Sequence, residues 1–470
     1  MTFVCAGALA CVSAAQHTTH PPGEQRREAQ PARQAPAAPR TTAAPGPSHD
    51  TAHGRADGRA TKGAGAFLMQ QESGTSRGPS SAPAHMFFTR AGSWNLMGHA
   101  QAFIADLQQT GPRGGDKFFS ANWFMGMAER QAGRGSVMFR AMLSLEPATV
   151  THRRYPLLFQ TGETAFGSAI VDGQHPHDLF MELSVQYARP VSENTYLNIY
   201  AAPIGDPALG PTAFPHRISA AELPQAPLGH HLQDSTHIAS EVVTVGLRHR
   251  RIGIEASGFH GREPDEHRWN IDTGPIDSWA ARLSLFPTAN LGAQASVGRL
   301  EEPEELEATD IIRATASLTY NRPLGAGNWA SSLIWGRNHK TENGQNLNSY
   351  LAESVVNFAR RNYLTGRVEW LDRDELFPHH NDGGLGDEEP AVGLEGLEGR
   401  VFRVAAYTMG YTRDFNLIPG WQTGLGANFT FYTIPRALNS VYGERPVGFL
   451  VYLRIRPGAA GPHGAHGQAP

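Results

Sequence analysis

The sequence predicts an all-β fold: a transmembrane antiparallel β-barrel of about 16 strands, preceded by a disordered N-terminal arm. Three observations predict it. Segments of strand length alternate apolar with polar residues, their connections are alternately short and long, and aromatic residues and prolines gather at the segment ends. The clearest segment is Gln174–Pro190, where Leu179, Met181, Leu183, Val185 and Tyr187 share one strand face. Phe180, Glu182, Ser184, Gln186 and Ala188 fall on the other, and His175, His177 and Asp178 stand at its mouth.

Sixteen such segments are expected at 94–108, 116–130, 134–146, 178–189, 194–202, 239–249, 251–260, 277–287, 289–299, 311–321, 328–338, 349–359, 363–372, 400–413, 421–433 and 447–456. Many are near the roughly 9–11 residues that a tilted strand needs to cross a bilayer. Every second link is short, as at 131–133, 190–193, 250, 288 and 360–362. The links between them run longer, as at 147–177, 203–239, 261–276 and 373–399. Short periplasmic turns opposite long external loops belong to an even-stranded outer-membrane barrel, whereas a soluble sandwich gives no reason for the asymmetry. Trp94, Trp279, Phe286, Trp329, Trp370, Trp421 and Tyr452 read as interfacial girdles.

Composition agrees. The formal net charge of −4 leaves no electrostatic footprint for nucleic acid. Charged residues at 18%, with 51 Gly and 33 Pro, suit a chain of many turns. The low mean hydropathy is incompatible with a helical membrane bundle but not with a barrel, half of whose wall is polar.

Residues 1–15 read as the remnant of a secretory signal, with Val12-Ser13-Ala14 as cleavage site; the run lacks a basic n-region, which leaves the true start open. Both cysteines, Cys5 and Cys11, lie there, so a chain cleaved before Gln16 would hold none, as suits an oxidising compartment. Residues 16–84 are rich in Ala, Pro, Gly, Thr, Arg and His, with almost no large apolar side chain before Phe67, and read as a disordered arm. The barrel is expected over 85–457 and a disordered tail over 458–470.

If the dyad holds, Arg140, Glu182, Arg282, Arg313, Arg367, Glu369 and Arg454 face the lumen. Rings of charge on a wet wall select ions and solutes; the same residues also pair with one another in a braced wall. The long loops gather at one mouth and carry His175, His177, Asp178, His216, His230, His231, His237 and His260. Histidine with carboxylate and no thiolate suits Zn, Cu(II), Ni or Fe, although the same residue types also cap turns and bond backbone groups. Met97, His99, Met138 and Met142 fall on the lumen side of two strands, as a soft track or as plain lining. The connection 203–239 is long enough to fold inward as a constriction.

From about Gly74 to Pro457 the chain resembles a family of bacterial outer-membrane, porin-like β-barrels. The resemblance lies in Gly111–Lys117, Tyr155–Gly162, Gln174–Leu183, Asp206–Pro211, Asp234–His237 and Phe259–Glu266. It implies a location in the bacterial outer membrane and a loose association with metal- or copper-resistance systems, and brings no activity with it. TonB-dependent receptors, with a globular plug and a larger barrel, are a poor match.

The leading expectation is a channel for passive diffusion of small solutes or ions, not an enzyme and with no required cofactor. A first alternative is a barrel that binds copper or zinc through its loop histidines. A second is a hydrolase using Ser235 and His237, for which no nucleophile elbow or HExxH motif is present. The expected partners are outer-membrane lipid and small solutes or metal ions; a homotrimer is an allowed assembly.

Overall fold

A period of two in the hydrophobic pattern makes strands with one apolar and one polar face, and such strands are stable in a membrane only when closed on themselves. The computed structural model describes residues 63–305, 308–378, 396–415 and 417–458; the signal remnant, the arm before residue 63 and the tail after Gly458 lie outside these residues.

The ring runs through β2 (Trp94–Gln109), β3 (Asp116–Ala132), β4 (Gly135–Leu143), β7 (Phe180–Ser192), β8 (Thr195–Gly205), β9 (Ala239–His249), β10 (Ile252–His260) and β11 (Ser278–Thr288). It continues through β12 (Leu291–Leu300), β13 (Ile311–Leu324), β14 (Gly327–Lys340), β15 (Asn346–Phe358), β16 (Asn362–Arg373), β17 (Phe402–Asp414), β18 (Trp421–Thr433) and β19 (Val447–Pro457). Each pairs antiparallel with the next, and β19 closes on β2 from Gly448↔Gln109 to Ile455↔Ala102. All sixteen expected segments are the sixteen strands of this closed barrel.

Three elements were not expected. Met86–Ala91 forms β1, which pairs with the first six residues of β2, Met86↔His99 to Ala91↔Trp94. It lies on β2 below the stretch that β19 occupies, and Phe87 packs edge-on against Trp421 at 5.1 Å. The connection read as a loop at 147–177 contains the hairpin β5 (Tyr155–Ala165) and β6 (Ser168–Gln174), a separate two-stranded sheet. The strand expected to reach residue 146 ends at Leu143, and Glu146–Thr149 makes a helical turn. A register shift where β4 meets the start of β7 turns Met181 inward, against its expected place on the Leu183–Val185 face.

The wall inverts the pattern of a soluble protein. In β14 Ser332 is 1% exposed while its neighbour Leu333 is 56% exposed. The same alternation leaves Val245, Leu283, Leu318, Leu364 and Leu425 bare on the outside. A continuous apolar outer surface on a closed barrel is a lipid-facing band, and the protein is a transmembrane β-barrel. Trp279, Trp329 and Trp370 are on that outer face, as a girdle requires. Tyr452 is not: it is buried, and its hydroxyl bonds Glu222 O at 2.8 Å inside the barrel.

The interior is filled. Residues 63–84, expected as part of the arm, lie within the lumen: Phe67 stacks on Tyr196 at 5.2 Å, and Arg140 donates to Glu72 O and Gly74 O. Gln186 also donates to Gly74 O, Arg282 to Thr75 Oγ1, and Ser73 Oγ accepts from the Ala213 amide. Composition misled here because a segment without a core of its own can still fold when the wall supplies polar partners. The connection 206–238 folds inward beside it. The hairpin β5–β6 packs Leu157, Leu158 and Phe159 with Leu228, Leu232 and Leu347 in one apolar cluster.

Candidate functional site

The inward-facing residues show what fills the lumen. Arg140, Glu182, Arg282, Arg313, Arg367, Glu369 and Arg454 all point inward, and none is more than 5% exposed. Arg140 pairs with Glu182 at 2.7 Å and Arg282 with Glu255 at 2.9 Å. Arg367 pairs with Glu353 at 2.9 Å, and Arg454 with Glu222 and Asp414. Glu222 belongs to the inward connection, and other side chains of the set reach the inward segments too. Arg313 bonds Ser235 Oγ at 2.8 Å and His231 O at 2.6 Å, Arg367 bonds Gln225 O at 3.0 Å, and Glu369 faces the Gly229 amide at 3.4 Å. A ring of wall charge anticipated as pore lining thus serves here as the seat of the inward loop.

Within that loop and its neighbours the histidines converge. Ring centroids step from His175 to His231 (5.9 Å), to His230 (5.3 Å), to His237 (5.1 Å) and to His177 (5.4 Å). Four of these rings have Nδ1 against an oxygen: Pro176 O for His175 (3.0 Å), Glu146 Oε2 for His177 (3.0 Å), Asp234 Oδ1 for His230 (2.7 Å) and Asp234 O for His237 (2.9 Å). Such bonds assign the proton to Nδ1 and leave Nε2 as the lone-pair atom of a neutral ring.

Charge states follow from burial and neighbours. Burial holds His175 well below the ordinary imidazole value, and Arg268 pushes the same way. His237 is likewise well below it through burial, with His230 and His177 adding. His230 is lowered by burial, against Asp234. Burial also disfavours the His177 cation, but Glu146 outweighs it and raises the pKa. Asp178, bonded to Arg268 at 3.2 Å, is raised by burial to about 6.

Among the described residues, one group offers metal-type donor atoms all within 4.8 Å of one another: Glu163, His175 and His231. Glu163 Oε1 stands 2.7 Å from His175 Nε2, and Glu263 Oε2 stands 3.2 Å from His231 Nδ1. Burial raises the Glu163 carboxyl to about 7 despite Arg268. Glu263 is held well below the carboxylate range, because the neighbouring charges of His231 and Arg313 outweigh its burial.

The remaining sequence candidates are elsewhere. His216 sets Nε2 3.2 Å from Met142 Sδ, with its ring 4.7 Å from Trp123. His260, at the end of β10, bonds Asp277 at 2.7 Å. Met97 and Met138 pack with Phe67 and Leu68, whereas Met142 packs with Trp123 and Met181, so the expected sulfur track is split between two clusters. Ser235 Oγ is taken by Arg313 and His237 Nδ1 by the Asp234 carbonyl, so the serine and histidine of the hydrolase alternative are bonded to different partners. Sequence reasoning missed Glu163, which carries no local signal; Glu263 lies within Gly261–His267, a loop stretch of histidine and carboxylate, and Glu146 ends the segment expected at 134–146.

No protein-family model matches the sequence, and no curated protein matches it. Among solved structures the chain is similar to the anion-selective porin from Comamonas acidovorans, at 11% identity over 77% of this chain and 99% of that one, with a TM-score of 0.47. It is also similar to Pseudomonas putida OprB (8% identity, 77% and 94% covered, TM-score 0.46) and to Salmonella typhi OmpF in complex with daunomycin (8%, 78% and 100%, 0.44).

Proposed function

We propose that the protein is an outer-membrane channel for small solutes or ions, closed in this conformation by its own inward-folded segments. The observation that carries this reading is the burial of the wall arginines: Arg313 is 1% and Arg454 0% exposed, where an open aqueous lumen would wet them. Much of the seat is polar. Arg140, Arg282, Arg313, Arg367 and Arg454 meet carbonyls, hydroxyls and carboxylates of the segments at 72–75 and 210–235. Water can replace such partners, so the net preference for the seated state is modest per contact, about 1.5–3 kcal/mol for a hydrogen bond to a charged group. Planar-bilayer recording tests the reading. The expected result is small or infrequent openings that grow when residues 211–233 are replaced by a short Gly/Ser linker. A shortened variant as silent as the full chain would reject a channel.

Titrating groups of the seat pull in opposite directions between about pH 6.5 and 8. Burial raises Glu72 to about 7, against the Thr212 hydroxyl, the Gly78 amide and Arg217. It raises Asp206 to about 7 as well, against Arg282 and Ser73, with Glu182 and Asp234 adding to the rise. A carboxyl protonated when seated and ionised when released loses its contribution as pH climbs towards the seated value. His177 and His231 are raised too, so their contribution is also lost as pH rises through that window. The buried neutral rings of His175, His216, His230 and His237 act the other way, because once released they take up protons around the ordinary imidazole value of about 6.5.

A further inference from the structure

We propose that Glu163, His175 and His231, with Glu263 as fourth donor, form a binding site for a divalent first-row transition ion. Zinc is the natural probe. Four features of the chain converge on this site.

The first is distance. Bonds of about 2.0–2.1 Å to a tetrahedral ion place donors roughly 3.3 Å apart. The Glu163, His175 and His231 donors already lie within 4.8 Å of one another, within reach of modest side-chain rotation.

The second is unused bonding capacity. His175 Nε2, both ring nitrogens of His231 and both carboxylate oxygens of Glu263 are buried without a hydrogen-bond partner. Native interiors rarely leave so many polar atoms unmatched in one place. The 2.7 Å and 3.2 Å approaches noted above lack the in-line geometry of a hydrogen bond. Donors that crowd together without bonding one another are arranged as ligands to a shared centre.

The third is the outer shell. His175 Nδ1 donates to Pro176 O, which fixes Nε2 as the ligating atom. Arg268 holds the second oxygen of Glu163 and also Asp178, orienting the carboxylate.

The fourth is the backbone. Gly162 has φ +103°, and a Cβ there would lie 2.7 Å from His231 Nδ1. The next residue, Glu163, is held at φ +63°, which costs a non-glycine residue strain. The hairpin is bent at the point where its carboxylate reaches the imidazole.

The donor set contains nitrogen and oxygen and no sulfur, so it favours Zn(II), Cu(II), Ni(II) or Fe(II) over Cu(I). The charges facing it are Glu163, Glu263 and Asp178 against Arg268 and Arg313, a balance that a dication complements. A bound ion would join the β5–β6 hairpin, the segment before β7, the inward loop and the loop after β10.

The test uses the full chain folded in detergent, with Zn2+ titrated against a chromophoric chelator and Co2+ followed by visible absorption. Wild type should show a Zn2+ equivalent that the double variant His175→Gln/His231→Gln lacks. Glu163→Gln should weaken that equivalent at least tenfold, since even outer-shell changes cost tenfold or more. His260→Gln, outside the cluster, should keep it. Co2+ bands of a tetrahedral centre should appear in wild type and vanish in the double variant, and Zn2+ should raise the melting temperature of wild type and of His260→Gln but not of the double variant. Heat-modifiable migration on gels reports that each variant is folded. If the double variant does not fold, the isosteric Glu163→Gln and Glu263→Gln decide. Unchanged stoichiometry and affinity in the folded variants, or no binding by wild type, would overturn the site. Binding in micelles needs no conduction, so its failure leaves the channel reading to its own test.

Discussion

Replacing Arg217 with alanine should unseat the inward loop and raise channel open probability by one to two orders of magnitude or more. Arg217 is 2% exposed and ties the loop to the wall: Nε meets Glu353 Oε1 of β15 at 2.5 Å, and Nη1 meets Asp234 Oδ2 and Thr212 O, each at 3.0 Å. Removing one member of a buried ion pair costs about 3–5 kcal/mol, because the partner charge stays behind unmatched. Here Arg367 still neutralises Glu353 and His230 still bonds Asp234, which places the loss at or below the low end of that range. At about 1.4 kcal/mol per decade, even 2–3 kcal/mol shifts the seated-to-released ratio some 30- to 100-fold. The ring itself should survive, since its strand-to-strand hydrogen bonds do not involve Arg217. Planar-bilayer recording combined with heat-modifiable migration separates the two effects. A folded Arg217→Ala variant with wild-type conductance would contradict the role given to this residue.

Leu333→Arg should destabilise the barrel itself by about 2–4 kcal/mol, the cost of an arginine on the lipid face near the bilayer midplane. Leu333 stands mid-strand in β14, opposite Leu318 on β13 and Ala352 on β15. Leu333→Phe should be nearly neutral, because the lipid face constrains polarity more than shape. Denaturant unfolding from lipid vesicles measures both. An arginine tolerated there as easily as in the exposed loop residue Glu342 would contradict a membrane wall at this position.

These two residues mark what was readable in the sequence and what was not. Leu333 belongs to the period-two pattern, and every ring strand carries enough of it to be located along with its odd–even connections. The lumen filling is different in kind. Residues 63–84 hold themselves in place largely through backbone carbonyls and short polar side chains, such as Gly74 O bonded by Arg140 and Gln186. Nothing in local composition encodes partners 66 or 112 positions away. The β5–β6 hairpin escaped for a related reason. Leu157, Leu158 and Phe159 are consecutive and all buried, and Phe159 and Glu163 adopt left-handed backbone, so alternation is absent. The histidines could be named from the loops that carry them, but which of them meet depends on how those loops turn inward. His175 and His231 share a centre, while His260 sits with Asp277.

The claim that the loop is seated inside the barrel can be tested at one contact. Ser219 Oγ of the inward loop and Ser332 Oγ of β14 are 2.7 Å apart, and the only native cysteines are Cys5 and Cys11. In a background with those two changed to serine, Ser219→Cys/Ser332→Cys places two thiols in disulfide range, since bonded cysteines need Cβ atoms only about 3.5–4.5 Å apart. Recording the oxidised and then the reduced protein should show a fully cross-linked, silent channel whose openings return with reductant. Two thiols that never cross-link, and that react freely with an aqueous maleimide in the folded barrel, would contradict a loop-filled lumen.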